Sequence, residues 1–109
     1  MKNTDKKKLK IAFFGTPEVA SETLQILKDY GFLPSFVITS PDRRQGRKMI
    51  LTPPPVKTWA IENSIPFFQP EKIDDESIAI IKKENCDIFI VVAYGKIFPK
   101  RLLEFPPLG

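Results

Sequence analysis

The sequence predicts an α/β fold, a Rossmann-like parallel sheet with flanking helices, and three observations predict it. Short, nearly continuous apolar runs, Leu9–Phe14 and Asp87–Ala93, have the character of parallel strands covered on both faces. Between them apolar residues recur at helical spacing, Ala20, Leu24 and Leu27 being the clearest case. Glycine, proline and helix-capping residues stand at the junctions. A length of 109 residues accommodates one domain or part of one, and 42% hydrophobic with 28% charged residues is the balance of a chain that folds.

The elements follow in order. Leu9–Phe14 forms the first strand and ends at Gly15. Thr16 is placed as an N-cap, Pro17 at the first helical position and Glu18 at the positive end of the helix dipole. The helix turns Ala20, Leu24 and Leu27 inward, with Tyr30 as a further candidate, and stops at Gly31. Phe36–Thr39 is the second strand. From Ser40 to Pro55 the chain carries Pro41, Gly46, Pro53, Pro54 and Pro55 and reads as a long connection without an obvious element, the kind of segment that is functional or mobile. Val56–Glu62 is a short helix with Val56, Trp59 and Ala60 on one face. Phe67-Phe68, between Pro66 and Pro70, makes a short edge strand, where proline is tolerated. Asp74 or Asp75 caps the next helix, which turns Ile78, Ile81 and, as a third candidate, Ala79 inward. Asp87–Ala93 is the most hydrophobic segment and is expected to be a central strand, ended by Tyr94-Gly95. Pro99–Glu104 gives one or two helical turns, and Phe105–Gly109 a turn-like tail.

The order is therefore β-α-β-loop-α-β-α-β with right-handed crossovers. The chain looks unfinished, because a Pro-Pro-Leu-Gly turn follows its best strand where another strand normally comes. The fold is accordingly expected to be incomplete at the C-terminus. Residues 1–8 are assigned as a basic tail and residues 9–109 as the N-terminal portion of the domain.

Composition then bounds the chemistry. Of 17 basic and 13 acidic residues, five and one lie in residues 1–10, leaving twelve of each in residues 11–109. The formal charge of +4 thus belongs to the lysine-rich start, which reads as a solubilising terminus. Histidine is absent, which excludes His-based acid–base catalysis, Ser-His-Asp and Cys-His systems and His metal sites from this stretch. The single cysteine, Cys86, can form neither an internal disulfide nor a cysteine-cluster metal site, and beside an apolar run it reads as a buried, inert thiol. No metal is expected. Ile11–Phe14 is too short for a signal-peptide core, and no stretch approaches a membrane span. The expectation is a soluble, cytoplasmic protein with neither a membrane nor DNA as partner.

Ligands of open α/β sheets bind at the carboxyl ends of the strands. Three segments sit there: Gly15-Thr16-Pro17-Glu18, the loop after Thr39, and Val92–Phe98. The first has one glycine before a helix but neither Gly-x-Gly-x-x-Gly nor a Walker lysine, and Glu18 disfavours a polyanion. A well-capped turn and a pocket wall stand as equal readings of it. In the second, Arg43, Arg44, Arg47 and Lys48 face a single acid, Asp42, for a net of +3 between Pro41 and Lys48. The arginine fork binds two phosphate oxygens at once, and Gly46 permits a sharp bend. Composition alone leaves a solvated basic loop and a nucleic-acid contact equally open. Asp74-Asp75-Glu76 stands before an amphipathic helix and reads as capping rather than as a metal site. Trp59 and the phenylalanines read as core rather than as a stacking platform.

In combination these residues resemble a known family. Phe14-Gly15-Thr16-Pro17-Glu18, then Pro41-Asp42-Arg43 with Gly46-Arg47, then Pro55-Val56-Lys57, then Val91 to Pro99 are similar in order and spacing to the methionyl-tRNA formyltransferases. The match runs over essentially the whole chain after the lysine tail. The basic loop with its Pro-Val-Lys end separates that family from folate-dependent formyltransferases acting on amino sugars or on glycinamide ribonucleotide.

The resemblance implies transfer of a formyl group from 10-formyltetrahydrofolate to the amine of methionine on initiator tRNA, by a Rossmann-like catalytic domain followed by a smaller barrel-like domain. It implies Arg47 as the principal tRNA wedge, with Arg43, Arg44 and Lys48 as supporting phosphate contacts. It implies that Val92, Ala93, Tyr94, Gly95, Lys96 and Ile97 form part of the folate pocket, where backbone groups read the pterin edge. Gly15, Thr16 and Pro17 would line the cleft that receives the aminoacyl end.

The sequence departs from the family pattern at Arg44, Lys48, Pro54 and Phe98, where proline, glycine, serine and leucine are common. The first two departures add charge. The family's catalytic asparagine and histidine follow shortly after the position matching Gly109, and its aspartate lies further on, so no catalytic residue is assigned here and the 109-residue piece alone is expected to be inactive. Two other readings are a non-catalytic Rossmann-like module that binds RNA or a nucleotide, and a sugar-amine formyltransferase.

Overall fold

A computed structural model describes residues 9–95 together with Pro99 and Leu102. The basic tail, Lys96, Ile97 and Phe98, and the turn-like tail expected at Phe105–Gly109 lie outside the described residues. Of the expected helical turn at Pro99–Glu104, Leu102 is described as helical and buried, its N–H donating to the Pro99 carbonyl at 3.0 Å.

The elements are β1 (Ile11–Gly15), α1 (Glu18–Asp29), β2 (Phe36–Ile38), β3 (Arg43–Gln45), β4 (Ile50–Thr52), α2 (Pro55–Glu62), β5 (Phe67–Phe68), α3 (Asp75–Lys83) and β6 (Ile88–Val92). Four of the strands make a parallel sheet in the order β5-β2-β1-β6. Alternation along each strand divides the core into two. Phe13 and Val37 point to the face covered by α1 and α2, where Leu24, Val56 and Trp59 meet them. Ala12, Phe14, Phe36 and Ile38 point to the other face, against Ile78 and Ile81 of α3. There Phe14 packs its ring 5.3 Å from Phe89 and edge-on to Tyr94 at 5.7 Å, within the favourable range for aromatic pairs. Cys86 is buried in the same cluster, and that burial pushes its thiol pKa up, as an inert thiol requires.

From β1 the chain moves outward through β2 to β5, then returns by α3 to β6 on the opposite side of β1. The order therefore reverses between β1 and β6, and the crevice at their carboxyl ends is the place where an open α/β sheet holds a ligand.

Several local expectations are corrected. β1 and β2, each buried along its whole length, are the interior strands. β6 lies at the edge of the described sheet with β1 as its partner, and Val91 is 46% exposed. Pro17, not Thr16, is the N-cap of α1, because the Thr16 hydroxyl is engaged by tertiary partners. Tyr30 is exposed beyond the last turn, where Gly31 at φ +87° closes the helix: its N–H reaches the Lys28 carbonyl and the Phe32 N–H reaches that of Leu27. Ala79 of α3 faces solvent, whereas Ser77 is buried beside Ile78 and Ile81. Asp74 is the cap of α3, as expected, accepting from the Ser77 N–H at 2.9 Å. Trp59 is core, donating its indole N–H to the Gln25 side chain at 2.9 Å, but Phe32 is half exposed.

The largest correction falls on the long connection. It holds an antiparallel hairpin, β3 paired with β4. Arg43 faces Thr52, Arg44 faces Leu51 and Gln45 faces Ile50. A turn over residues 46–49 joins them, with Gly46 at φ +79° and the Met49 N–H donating to the Gly46 carbonyl at 3.1 Å. Cross-strand pairing rather than burial makes these strands, since β3 is wholly exposed.

Candidate functional site

The site begins with a close approach. A Cβ on Gly15 would stand 2.7 Å from the Ala20 Cβ, 2.8 Å from the Phe13 ring and 2.8 Å from the Val92 carbonyl. Only glycine lets the end of β1 lie this close to α1 and β6. The next residue, Thr16, then joins three elements. Its hydroxyl donates to the Tyr94 carbonyl at 3.0 Å and lies 3.0 Å from the Ser40 hydroxyl. A carbonyl cannot donate, so the single Thr16 proton goes to Tyr94 and Ser40 donates to Thr16. The Thr16 carbonyl also accepts from the Val56 N–H at the start of α2, at 3.5 Å.

Beside this junction lies a cleft of about 550 Å³. Thr16, Pro17 and Glu18 form one wall; Ser40, Pro41, Arg43, Arg44 and Gln45 continue it, and Thr52, Pro54 and Pro55 close it. Two of the four predicted cations, Arg43 and Arg44, thus share a cleft with Thr16 and Pro17. Arg47 and Lys48 stand in the exposed hairpin turn. Arg44 has a second task, donating to the Met49 carbonyl at 3.2 Å and bracing that turn. Met49, Ile50 and Leu51 are each more than half exposed, so the hairpin presents apolar surface next to its charge. Val92, Ala93, Tyr94 and Gly95 leave β6 next to Thr16 and are not among the walls of the cleft. Ala93 (φ +52°) and Gly95 (φ +86°) turn the backbone sharply there, while the Tyr94 ring is buried. Lys96 and Ile97 lie outside the described residues.

Residue types alone did not single out Ser40, Asp42, Lys57 and Gln69 as members of the site. Gln69 Nε2 donates to the Ser40 carbonyl at 3.0 Å and to the Asp42 carboxylate at 2.7 Å, and Lys57 Nζ binds both Asp42 oxygens at 3.1 and 3.0 Å. The Gln69 hydrogen bond, followed by that of Lys57, holds the Asp42 carboxyl below its usual pKa. The available signal was Asp42 itself, the one acid in the basic loop. Among the described residues no helix is long and apolar enough to cross a membrane.

A family model described as "Formyl transferase" matches residues 9–109. The chain is also similar to proteins named methionyl-tRNA formyltransferase. One from Clostridioides difficile is 47% identical over 93% of this chain and 33% of its own length. One from Lysinibacillus sphaericus is 46% identical over 91% and 32%, and one from Caldicellulosiruptor saccharolyticus 42% over 91% and 33%. The chain spans about a third of the length of these curated relatives. With the sheet order, the junction at Thr16 and a match that runs through every described element, the chain belongs to the formyl transferase family.

Proposed function

We propose that this chain serves the transfer of a formyl group from 10-formyltetrahydrofolate to the amino group of methionyl initiator tRNA, a step of translation initiation in the cytoplasm. The observation that carries the reading is an exposed cationic hairpin rooted at the lip of the cleft beside the strand ends. The names of the relatives support the same substrate. Arg47 is the principal contact with the acceptor stem, and Arg43, Arg44 and Lys48 add phosphate contacts. Guanidinium forks suit this task because the phosphate backbone supplies most of the affinity for a nucleic acid. Thr16 and Pro17 line the path of the aminoacyl end, and Gly15, buried and outside the cleft lining, lets the strand end approach α1 and β6 closely enough to place them.

The end of β6 fits a flat heteroaromatic donor. The Tyr94 ring turns into the core, so the segment offers backbone groups, and a Cβ on Gly95 would meet nothing within 4 Å among the described residues. Val92, Ala93, Tyr94 and Gly95, with Lys96 and Ile97, would hold the folate by its pterin edge. The bound folate supplies the formyl group; this chain's residues orient it and the RNA. No residue of the chain is assigned a catalytic role, and no metal is invoked.

The test assays the product of the complete reading frame with 10-formyltetrahydrofolate and methionyl initiator tRNA. Formylated methionyl-tRNA is the expected product. Arg47→Ala is expected to lower kcat/KM for the tRNA by about tenfold with folate binding unchanged, while Lys7→Ala changes neither. Formyl transfer to an amino sugar in place of the tRNA would overturn the reading, and an unchanged kcat/KM in Arg47→Ala would overturn the role of that residue.

A further inference from the structure

The hairpin has no core of its own. All of β3, the turn, and Ile50 and Leu51 of β4 are exposed, so contacts at its root must set its direction. One root is covalent: Thr52 runs through Pro53-Pro54-Pro55 into α2, with Pro54 buried and Pro55 at the first helical position. The other root is Asp42, one residue before β3. Its two oxygens receive Lys57 Nζ from α2, and one also receives Gln69 Nε2 from just beyond β5. Lys57 and Asp42 thus form an ion pair at 3.0 Å whose side chains are only 20% and 25% exposed. Lys57 Nζ also stands 5.5 Å from the centroid of the Phe67 ring. Gln69 adds a bond to the Ser40 carbonyl, and Ser40 in turn bonds Thr16 at the strand ends. The hairpin is therefore tied on one side by chain and on the other by charge to the same helix.

We propose that Asp42, Lys57 and Gln69 form a positioning clamp that aims the cationic hairpin over the cleft. On this view the single acid of the basic loop is an anchor, and Lys57 is spent on that anchor rather than on phosphate. The proposal rests on the RNA reading above. It makes a prediction opposite in sign to simple electrostatics. Asp42→Ala raises the net charge by one, so a loop acting only through its charge would hold RNA more tightly. A loop whose aim depends on Asp42 would hold it less tightly.

The test measures the binding of methionyl initiator tRNA and the amide hydrogen exchange of the free chain. Asp42→Ala is expected to weaken binding by about threefold or more. It is also expected to speed exchange over residues 43–52 by about tenfold, with the amides of β1 and β6 unchanged. Lys57→Arg, which keeps the charge and the donor, is expected to stay near wild type in both measurements. The exchanged pair Asp42→Lys with Lys57→Asp, at unchanged net charge, is expected to recover part of the binding lost in Asp42→Ala. Tighter or unchanged binding in Asp42→Ala overturns the clamp, as does faster exchange throughout the sheet or none in the hairpin. If wild type and Arg47→Ala bind this tRNA alike, the RNA reading fails, and the exchange measurement still decides the clamp.

Discussion

The Thr16 hydroxyl donates to the Tyr94 carbonyl at 3.0 Å, one residue beyond Gly15 and two beyond Val92, the last paired residues of β1 and β6. The bond prolongs the strand pairing with a side chain where the backbones diverge. Thr16→Val keeps the shape but leaves the Ser40 hydroxyl and the Tyr94 carbonyl short of a partner. It is expected to cost about 1–2 kcal/mol, read as a lower urea midpoint at unchanged slope. Thr16→Ser, which restores the hydroxyl, is expected to regain most of the loss.

Gly15→Ala meets three obstacles at once, and one of them is the Val92 backbone carbonyl at 2.8 Å, which no rotamer change removes. The expected cost is about 1–3 kcal/mol from overpacking. Thermal unfolding measures it, and a stability equal to wild type would mean that β6 yields without penalty. Because Ala93 and Gly95 follow the displaced strand end, weaker binding of the folate proposed for that segment is expected in the same variant.

Asp74 caps α3 by accepting from the Ser77 N–H, and that bond holds its carboxyl below the usual value of 3.8. A carboxyl with a depressed folded pKa stabilises fully above its unfolded value and loses the effect as pH falls through the folded one. Asp74→Ala is therefore expected to lower the unfolding midpoint at neutral pH. The gap from wild type should close as the pH drops below about 4, toward and past the folded value. A gap independent of pH would assign the loss to something other than the charge.

Tyr94 titrates at the other extreme. Burial pushes its phenol up to about 12, and the hydroxyl has no hydrogen-bond partner among the described residues. The folded state thus holds a proton that the unfolded chain releases near pH 10, so this contribution to stability is present below about pH 10 and lost as pH rises toward 12. Ultraviolet titration should show one phenol ionising at about 12. Tyr94→Phe should abolish that component and leave stability unchanged or higher by about 1 kcal/mol, since it removes an unpaired buried hydroxyl. A fall in stability would show that the hydroxyl is satisfied.

The sequence made the sheet legible where burial leaves a pattern. Ile11–Gly15 and Ile88–Val92 are nearly all apolar, and α1 and α2 repeat their inward residues at helical spacing. It hid the hairpin, because Arg43–Gln45 and Ile50–Thr52 are three residues each, face water, and join through a turn without an Asn-Gly pair. Thr16 was legible as a cap by residue type, yet its hydroxyl went to Ser40 and Tyr94, partners that no local rule names. The cations of the site stood out as a cluster. The residues that hold them did not, since Asp42, Lys57 and Gln69 meet only after the chain has passed through α2 and β5.

The reversal of strand order between β1 and β6 also sets a sequence of events. Thr16 and Ser40 are 24 residues apart, whereas Thr16 and Tyr94 are 78 apart. A chain emerging from the ribosome can pair β1 with β2, and β2 with β5, while β6 is still unmade, and the closing contact carries the largest loop entropy. The crevice at the strand ends thus comes into being only when the most distant partner arrives. Until then one flank of β1 is an open ladder of donors and acceptors, the part of a nascent sheet most exposed to mispairing.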